Sequence, residues 1–205
     1  MIGKYKFDKR KFVLWKGGIF VNFRKSTYDD VDKILEIIEK AKAEFKKSGL
    51  DQWQNGYPNR QVIENDVKLG ISYVLENVEK NSVESKSKII GTIVLSLEKE
   101  MSYSKIEGKW ITDDDYMVIH RLAVDTDVKN KGIATKILEF SEKVCLEKKI
   151  LSLKTDTHED NEPMKKLLEK NGFCYCGVIY LDKEPDVGEK RIAYEKIIKI
   201  PHKLL

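Results

Sequence analysis

Residues 118–134 read Val-Ile-His-Arg-Leu-Ala-Val-Asp-Thr-Asp-Val-Lys-Asn-Lys-Gly-Ile-Ala, and three features follow one another in this stretch. A β-rich apolar run comes first, an acidic turn follows, and a glycine loop then opens an amphipathic helix. The start of a helix leaves several backbone N–H groups without an intrahelical partner, and the peptide dipoles place about half a positive charge there. Small residues at Gly132 and Ala134 let a diphosphate approach this backbone. The stretch therefore predicts a cradle for a phosphate-bearing cofactor.

Length and composition favour one α/β domain that does not bind nucleic acid or a membrane. The chain has 205 residues, and its 38 Lys+Arg against 34 Asp+Glu give a net charge of +4 without a basic block. No apolar run approaches the roughly 20 residues that cross a bilayer, and residues 12–15 are too short for a signal-peptide core. We therefore expect a cytoplasmic location. Three cysteines argue against a disulfide framework.

Periodicity divides the rest of the chain into strands and helices. The predicted strands cover residues 19–24, 72–76, 89–97, 117–124, 150–155, 173–181 and 191–197. The predicted helices cover a long segment that starts at residues 27–30 and ends at Gly49, then residues 59–69, 132–147 and 161–170. This order predicts a mixed sheet with helices on both faces.

Residues 1–18 lack clear periodicity and are predicted as an N-terminal arm or an extra strand. An edge strand, an ordered arm and a frayed tail all fit their basic and aromatic composition. Residues 19–205 form the predicted domain.

Three motifs resemble those of the GNAT superfamily of N-acetyltransferases. Residues 129–134, Lys-Asn-Lys-Gly-Ile-Ala, are similar to its acyl-coenzyme A motif Arg/Gln-x-x-Gly-x-Gly/Ala, with Lys in the first position. Asn161 followed by Lys-Asn-Gly-Phe at 170–173 resembles the family's Asn-containing helix that ends in Gly-Phe. Residues 53–58, 120–124 and 155–161 together look like a subgroup of small bacterial GNAT proteins, which mostly lack an assigned acceptor. The resemblance covers about residues 19–198.

The resemblance implies a single GNAT-like domain with a mixed, mostly antiparallel central sheet, and acetyl-CoA as co-substrate without a metal. The strand that ends at Val124 would splay from the strand that starts at Ile150, and the pantetheine arm would lie in the gap. The Leu122 amide would then polarise the thioester carbonyl. The implied cofactor-binding residues are Leu122, Ala123, Val124, Lys129, Asn130, Lys131, Gly132, Ile133, Ala134, Thr135 and Asn161.

An attacking amine must lose a proton, and two histidines are candidates for the chemistry. By strand alternation His120 shares a face with Val118 and Leu122, and the glutamate that is catalytic in some family members would fall at Val118. His120 is therefore the first candidate base, and a structural histidine is the alternative. His158 follows a strand, where it would bind the acceptor or cap the next helix, and Asp160 as the helix N-cap favours the capping role.

The acid that protonates the leaving thiolate is missing from its usual place. Many family members have a Tyr four residues before the Gly of Gly-Phe, and this chain has Leu168 there. Tyr175 or Tyr180 on the next strand is a candidate substitute, although a structural tyrosine is the commoner case. A thiol with a pKa near ~8.5 can also leave largely unaided.

Aromatic and cysteine residues suggest two further features. Trp53, Tyr57 and Trp110 would form a substrate pocket for an ammonium group by cation–π contact, and packing under a loop explains them equally well. Cys174 and Cys176 lie on one predicted strand face, but without a second Cys/His pair they predict neither a metal nor a redox site.

These features predict an N-acetyltransferase that acts on a primary amine of a small-molecule acceptor. Protein N-terminal acetylation is the alternative substrate. An acyl-CoA-binding sensor without turnover is the alternative from another class, because Leu168 stands where an acid is expected. A redox protein that uses Cys174 and Cys176 is a third hypothesis. A homodimer, common among related proteins, is also expected.

Overall fold

The computed structural model describes residues 14–16, 19–78, 88–128 and 132–200. The strands are β1 (Leu14–Lys16), β2 (Ile19–Lys25), β3 (Ser72–Val78), β4 (Lys88–Ser96), β5 (Glu107–Gly108), β6 (Tyr116–Val124), β7 (Ser152–His158), β8 (Cys174–Tyr180) and β9 (Lys190–Ile197). The helices are α1 (Val31–Lys47), α2 (Arg60–Lys68), α3 (Ile133–Lys148) and α4 (Glu162–Lys170), with short 3₁₀ turns at Tyr28–Asp30, Met101–Lys105 and Thr126–Val128.

In the described ranges the strands form one sheet of nine in the order β1-β2-β3-β4-β6-β7-β9-β8-β5. Only the β6–β7 pair is parallel among these neighbours. Helices α1 and α2 pack on one face, where Ile34 and Ile63 meet Val74. Helices α3 and α4 cover the opposite face, where Ile137 and Leu168 join the larger core. The predicted mixed, mostly antiparallel sheet with helices on both faces is confirmed.

Helix α3 buries the face that its sequence predicts. Its buried residues are Ile133, Ile137, Leu138, Ser141, Val144 and Cys145. Because these positions recur at three- and four-residue spacing, one side of the helix meets the sheet along its whole length. None of the helices in the described ranges has the combination of length and apolar composition that a membrane-spanning segment needs.

Two local predictions around β7 need correction. The strand begins at Ser152 rather than Ile150, because the Ile150 N–H still bonds the Cys145 carbonyl in the turn that ends α3. The N-cap of α4 is Asn161 and not Asp160, since Asn161 Oδ1 accepts from the Met164 N–H at 3.1 Å. The Asp160 N–H instead donates to His158 Nδ1 at 3.1 Å.

Part of the predicted N-terminal arm forms an edge strand. Residues Leu14–Lys16 make up β1, which pairs antiparallel with β2. The other residues of the 1–18 segment lie outside the described residues.

Asp125, directly after β6, anchors α1 to the end of this central strand. Its carboxylate is fully buried, with Lys33 Nζ at 3.1 Å and Lys40 Nζ at 3.0 Å. The Asp127 N–H also donates to Oδ1, at 3.2 Å. Burial alone would raise the pKa of Asp125, but the bonds from Lys40, the Asp127 backbone and Lys33 outweigh it and hold the pKa at about 2.

We expect Asp125→Ala to lower the free energy of unfolding by about 2–3 kcal/mol. This loss is somewhat smaller than the loss on breaking a fully buried ion pair, because both lysines reach solvent. The folded pKa of Asp125 lies below its unfolded value near ~3.9, so its contribution is complete above that pH. The contribution is lost as the pH falls towards the folded pKa of about 2. Urea unfolding at pH 7 and pH 3 measures both effects. The control is Asp127→Ala, an exposed partner of Lys40, and an equal loss in both variants would contradict the prediction.

Candidate active site

The parallel strands β6 and β7 separate part of the way along their length. Their pairing runs from Tyr116–Ser152 to Val118–Lys154, and the Thr155 hydroxyl then bonds the Ile119 carbonyl at 3.1 Å. Beyond this point β6 continues to Val124 and β7 to His158. The divergence is the predicted gap, and it leaves backbone groups of β6 without a neighbouring strand.

A β-bulge in β6 lies beside this gap. His120 pairs with Val94 and Ala123 pairs with Thr92, so Arg121 and Leu122 together face one residue of β4. Arg121 has a φ of +49°, a left-handed conformation that is strained for any residue except glycine. The bulge thus fixes an unusual backbone conformation at the centre of the sheet.

The bulge reverses the side-chain alternation of β6. Leu122 packs against the core that contains Met117 and Ile119, whereas His120 precedes the bulge and keeps the face of Val118. The prediction that His120 and Leu122 share a face is therefore wrong. The extra residue places the His120 ring on one side of the sheet and the Leu122 side chain on the other.

A cavity of about 980 Å³ opens at the gap. It brings together many of the residues that the sequence predicts for the site: Trp53, Tyr57, His120, Leu122, Ala123, Val124, Gly132, Ile133, Ala134, Thr135 and Asn161. The predicted cofactor residues Lys129, Asn130 and Lys131 lie outside the described residues.

The start of α3 lines one end of the cavity and could hold an anionic group such as a diphosphate. Gly132 has a φ of +71°, and a Cβ built on it would meet no atom of the described residues within 4 Å, so space is open on that side of the residue. The first turn contains no acidic residue. Its N–H groups and the helix dipole are therefore available to an anion without local repulsion.

His120, Glu100 and Lys183 form a chain of polar contacts at the other end. His120 Nε2 lies 3.2 Å from Glu100 Oε1, and Lys183 Nζ lies 2.8 Å from Glu100 Oε2. Burial would raise the pKa of Glu100, but the hydrogen bonds from His120 and Lys183 outweigh it and hold the pKa at about 2. With Nε2 donating to this carboxylate, a neutral His120 ring has its lone pair on Nδ1 and can take a proton there.

Arg121 connects the bulge to the wall of the cavity. Its Nη2 donates to Asp66 Oδ1 at 2.8 Å, its Nε lies 2.8 Å from Oδ2, and its Nη1 donates to the Tyr57 hydroxyl. Asp66 is only 4% exposed. Burial raises the pKa of both Asp66 and Tyr57, and Arg121 opposes the rise. The guanidinium thus fixes Tyr57 beside the strained backbone.

The loop that carries Trp53 and Tyr57 is also tied to the far side of the cavity. Gln52 Oε1 accepts from Asn161 Nδ2 at 2.9 Å, and Asn55 Nδ2 donates to Asp186 Oδ1 at 3.2 Å. Trp53 packs against Phe45 of α1, with ring centroids 5.5 Å apart. The loop, residues 51–58, is therefore attached to three other parts of the cavity wall.

The structure does not bring three predicted site residues to the cavity wall. His158 accepts from the Asp160 N–H, one residue before the N-cap Asn161, and contacts Asp51, so its side chain neither lines the cavity nor caps α4. Tyr175 is 60% exposed on β8. Trp110 donates to the Tyr103 carbonyl at 2.8 Å and stacks over Lys154.

The positions of Leu168 and the two cysteines have simple packing explanations. Leu168 is a residue of α4, and its side chain is fully buried in the core between this helix and the sheet. Cys174 is exposed and Cys176 is buried, and Cys176 is the extra residue of a bulge between β8 and β9. No group of three His, Cys, Asp or Glu side chains suited to a metal ion occurs in the part of the chain that the structure describes.

Sequence reasoning missed Glu100, Arg121, Asp66, Tyr103 and Asp156, all of which line the cavity. Glu100 lies in the charged run that follows β4, and Asp66 lies on α2, so sequence position does not place either beside β6. A buried polar residue inside an amphipathic pattern, such as Asp66, is the one available indication.

Comparison with known proteins agrees with this geometry. Residues 37–173 match the model of the acetyltransferase (GNAT) family. Curated protein sequences yielded no match to the chain. A GNAT-family acetyltransferase structure from Streptococcus agalactiae is 32% identical, covers 92% of this chain and 100% of its own, and has a TM-score of 0.75.

Two more distant structures show the same fold. A GNAT-family acetyltransferase from Listeria monocytogenes is 19% identical, covers 92% of this chain and 99% of its own, and has a TM-score of 0.65. The PaiA N-acetyltransferase of Thermoplasma acidophilum, crystallised with coenzyme A, is 17% identical, with coverages of 86% and 98% and a TM-score of 0.60. On its sequence motifs, its fold and these comparisons, the chain belongs to the GNAT family of acetyltransferases.

Proposed function

We propose that the protein transfers the acetyl group of acetyl-CoA directly to a primary amine of a small-molecule acceptor. The observation that carries the proposal is that one continuous cavity is lined both by the start of α3 and by His120, beside the gap between β6 and β7. Coenzyme A in the crystal of the Thermoplasma relative supports the choice of co-substrate.

The residues of the gap and of α3 would hold the co-substrate. The first turn of α3, from Ile133 to Thr135, would receive the diphosphate, with Lys129 and Lys131 close in sequence. The backbone of Leu122 and Val124 would pair with the pantetheine amides, because no strand pairs with this side of β6 beyond the divergence. Bound acetyl-CoA supplies the acyl thioester.

Three groups of this chain would perform the transfer. His120 Nδ1 would take a proton from the acceptor ammonium, while Glu100 keeps the ring in the required orientation. The Leu122 N–H would stabilise the negative charge that develops on the carbonyl oxygen. The thiolate of coenzyme A can leave largely unaided, with a thiol pKa near ~8.5, so the buried Leu168 is compatible with turnover.

A small acceptor is favoured over a protein tail. The 51–58 loop narrows the acceptor end with Trp53 and Tyr57, and its contacts to Asn161 and Asp186 lie across the cavity from α1. An extended peptide would have to displace these contacts.

We expect His120→Ala to lower kcat at least about 100-fold without changing acetyl-CoA affinity, because only proton transfer is lost. Thiol release from acetyl-CoA with a panel of primary amines, amino acids and polyamines measures turnover, and calorimetry measures binding. His158→Ala is the matched control, since this histidine lies outside the cavity wall.

Other outcomes would identify the alternatives. Tight acetyl-CoA binding with no thiol release above background would favour the sensor. Acetylation of N-terminal peptides but of no small amine would favour a protein N-terminal acetyltransferase. Equal activity of His120→Ala and wild type would remove His120 as the base.

A further inference from the structure

The enclosed carboxylates on the cavity wall have cationic partners, with one exception. Asp66 is paired with Arg121, Glu100 with Lys183, and Asp186 lies 3.9 Å from Arg191. Asp156 differs from these residues.

The hydrogen bond to Asp156 Oδ1 comes from the Tyr103 hydroxyl, a neutral donor, at 2.8 Å. Among the residues whose side chains the structure describes, no ion pair joins Asp156 to a cation. A carboxylate withdrawn from water normally has a cation or several hydrogen bonds, because the desolvated charge is otherwise unfavourable. Asp156 is therefore the carboxylate of this group that has no directly bonded cation among the described residues.

Asp156 faces His120 across the gap. The last β6–β7 pair is Val118–Lys154, and because the strands run parallel, residue 156 lies level with residue 120 on the neighbouring strand. Lys154 Nζ lies 4.2 Å from the centroid of the Tyr116 ring, so the two residues share a face of the sheet. By alternation Asp156 and His120 extend from that same face, and both line the cavity.

The charged surroundings of Asp156 are mixed. Burial raises the pKa of its carboxyl, while His120, the Tyr103 hydroxyl and Arg191 work to lower the pKa and Glu100 works to raise it. His120 belongs to β6, Tyr103 to the Met101–Lys105 turn and Arg191 to β9. Glu100 directly precedes the Met101–Lys105 turn. An additional cation at the gap would stabilise the ionised carboxylate.

We propose that Asp156 binds the ammonium group of the acceptor and so makes the site selective for primary amines over alcohols of the same shape. The inference rests on the proposed function and names its substrate class. One ammonium N–H bonds Asp156 and another points at His120 Nδ1, which takes that proton. The neutral nitrogen then forms the N–C bond as the C–S bond breaks, and the electron pair leaves on the thiolate. The nitrogen loses its second proton, which the thiolate takes up, so the products are the neutral amide and the thiol of coenzyme A.

The test uses binding without turnover. The full-length protein is saturated with coenzyme A, and butylamine, hexylamine, butanol and hexanol are titrated while thermal stability or heat is recorded. Asp156→Asn is the isostere that removes the charge and keeps an acceptor for Tyr103. Asp182→Asn, an exposed carboxylate on the cavity rim, is the matched control for net charge.

We expect wild type and Asp182→Asn to bind the amines at least about 30-fold more tightly than the alcohols, and Asp156→Asn to lose this preference. Equal amine binding by Asp156→Asn, or no preference for amines in the wild type, would overturn the proposal. Amine selectivity without thiol release from acetyl-CoA would instead leave the subsite in place and refute the proposed transferase activity. For any amine that is turned over, Asp156→Asn should raise the KM of the amine and leave the KM of acetyl-CoA unchanged.

Discussion

Gly132→Glu is expected to lower the affinity for acetyl-CoA at least about 100-fold, or roughly 2.7 kcal/mol. The substitution places a carboxylate in the open space before the first turn of α3, where the diphosphate is expected. Its negative charge would occupy the helix N-terminus and repel the phosphates. Calorimetric titration of acetyl-CoA measures the change.

The control separates charge from backbone strain. Gly132 has a φ of +71°, which Asn tolerates better than most residues, so Gly132→Asn keeps the local conformation without adding charge. We expect its affinity to stay within about fivefold of wild type, since the backbone donors remain. If Gly132→Glu binds acetyl-CoA as well as wild type does, the start of α3 is not the diphosphate site.

Arg121→Ala is expected to lower the free energy of unfolding by about 3–5 kcal/mol, because it leaves the Asp66 carboxylate buried without its partner. It also releases Tyr57, so the acceptor wall loses its attachment to the bulge. Urea unfolding measures the stability.

The pH dependence identifies Asp66 as the cause. Without Arg121, burial raises the pKa of Asp66 further above its unfolded value, so the folded state binds more protons than the unfolded state. The stability that the variant loses relative to wild type should therefore be smaller at pH 5 than at pH 8. Adding Asp66→Asn should recover at least about 1 kcal/mol. If the loss of stability is the same at both pH values and is also the same in the double variant, the unpaired Asp66 carboxylate is excluded as its cause.

The start and the buried face of α3 could be predicted from the sequence because their determinants are local. The apolar spacing of α3 sets which face meets the sheet, and Gly132 marks the start of the helix. These properties depend on residues within a few turns of one another, and the pattern of the chain contains them directly.

The part of the cavity around His120 could not be predicted in the same way. The bulge at Arg121 adds one residue to β6 and so changes which face Leu122 takes, although the local sequence remains a regular strand pattern. Glu100 and Asp156 meet His120 only through the strand order of the sheet. Trp110 lies between β5 and β6 and Tyr175 lies on β8, and their contacts with Tyr103 and Tyr194 follow from side-chain directions that no spacing rule sets.

The short pairing between β6 and β7 links ligand binding to the cooperativity of folding. Among the described strands, these three residue pairs are the backbone connection between a half-sheet of β1, β2, β3, β4 and β6 and a half-sheet of β7, β9, β8 and β5. A ligand that bonds the backbone in the gap adds connections between the halves, and it stabilises only the state in which both halves are folded and correctly spaced. Such a ligand would suppress sub-global unfolding of one half-sheet, so the concentration of the co-substrate would affect the lifetime of the intact fold as well as the rate of the reaction.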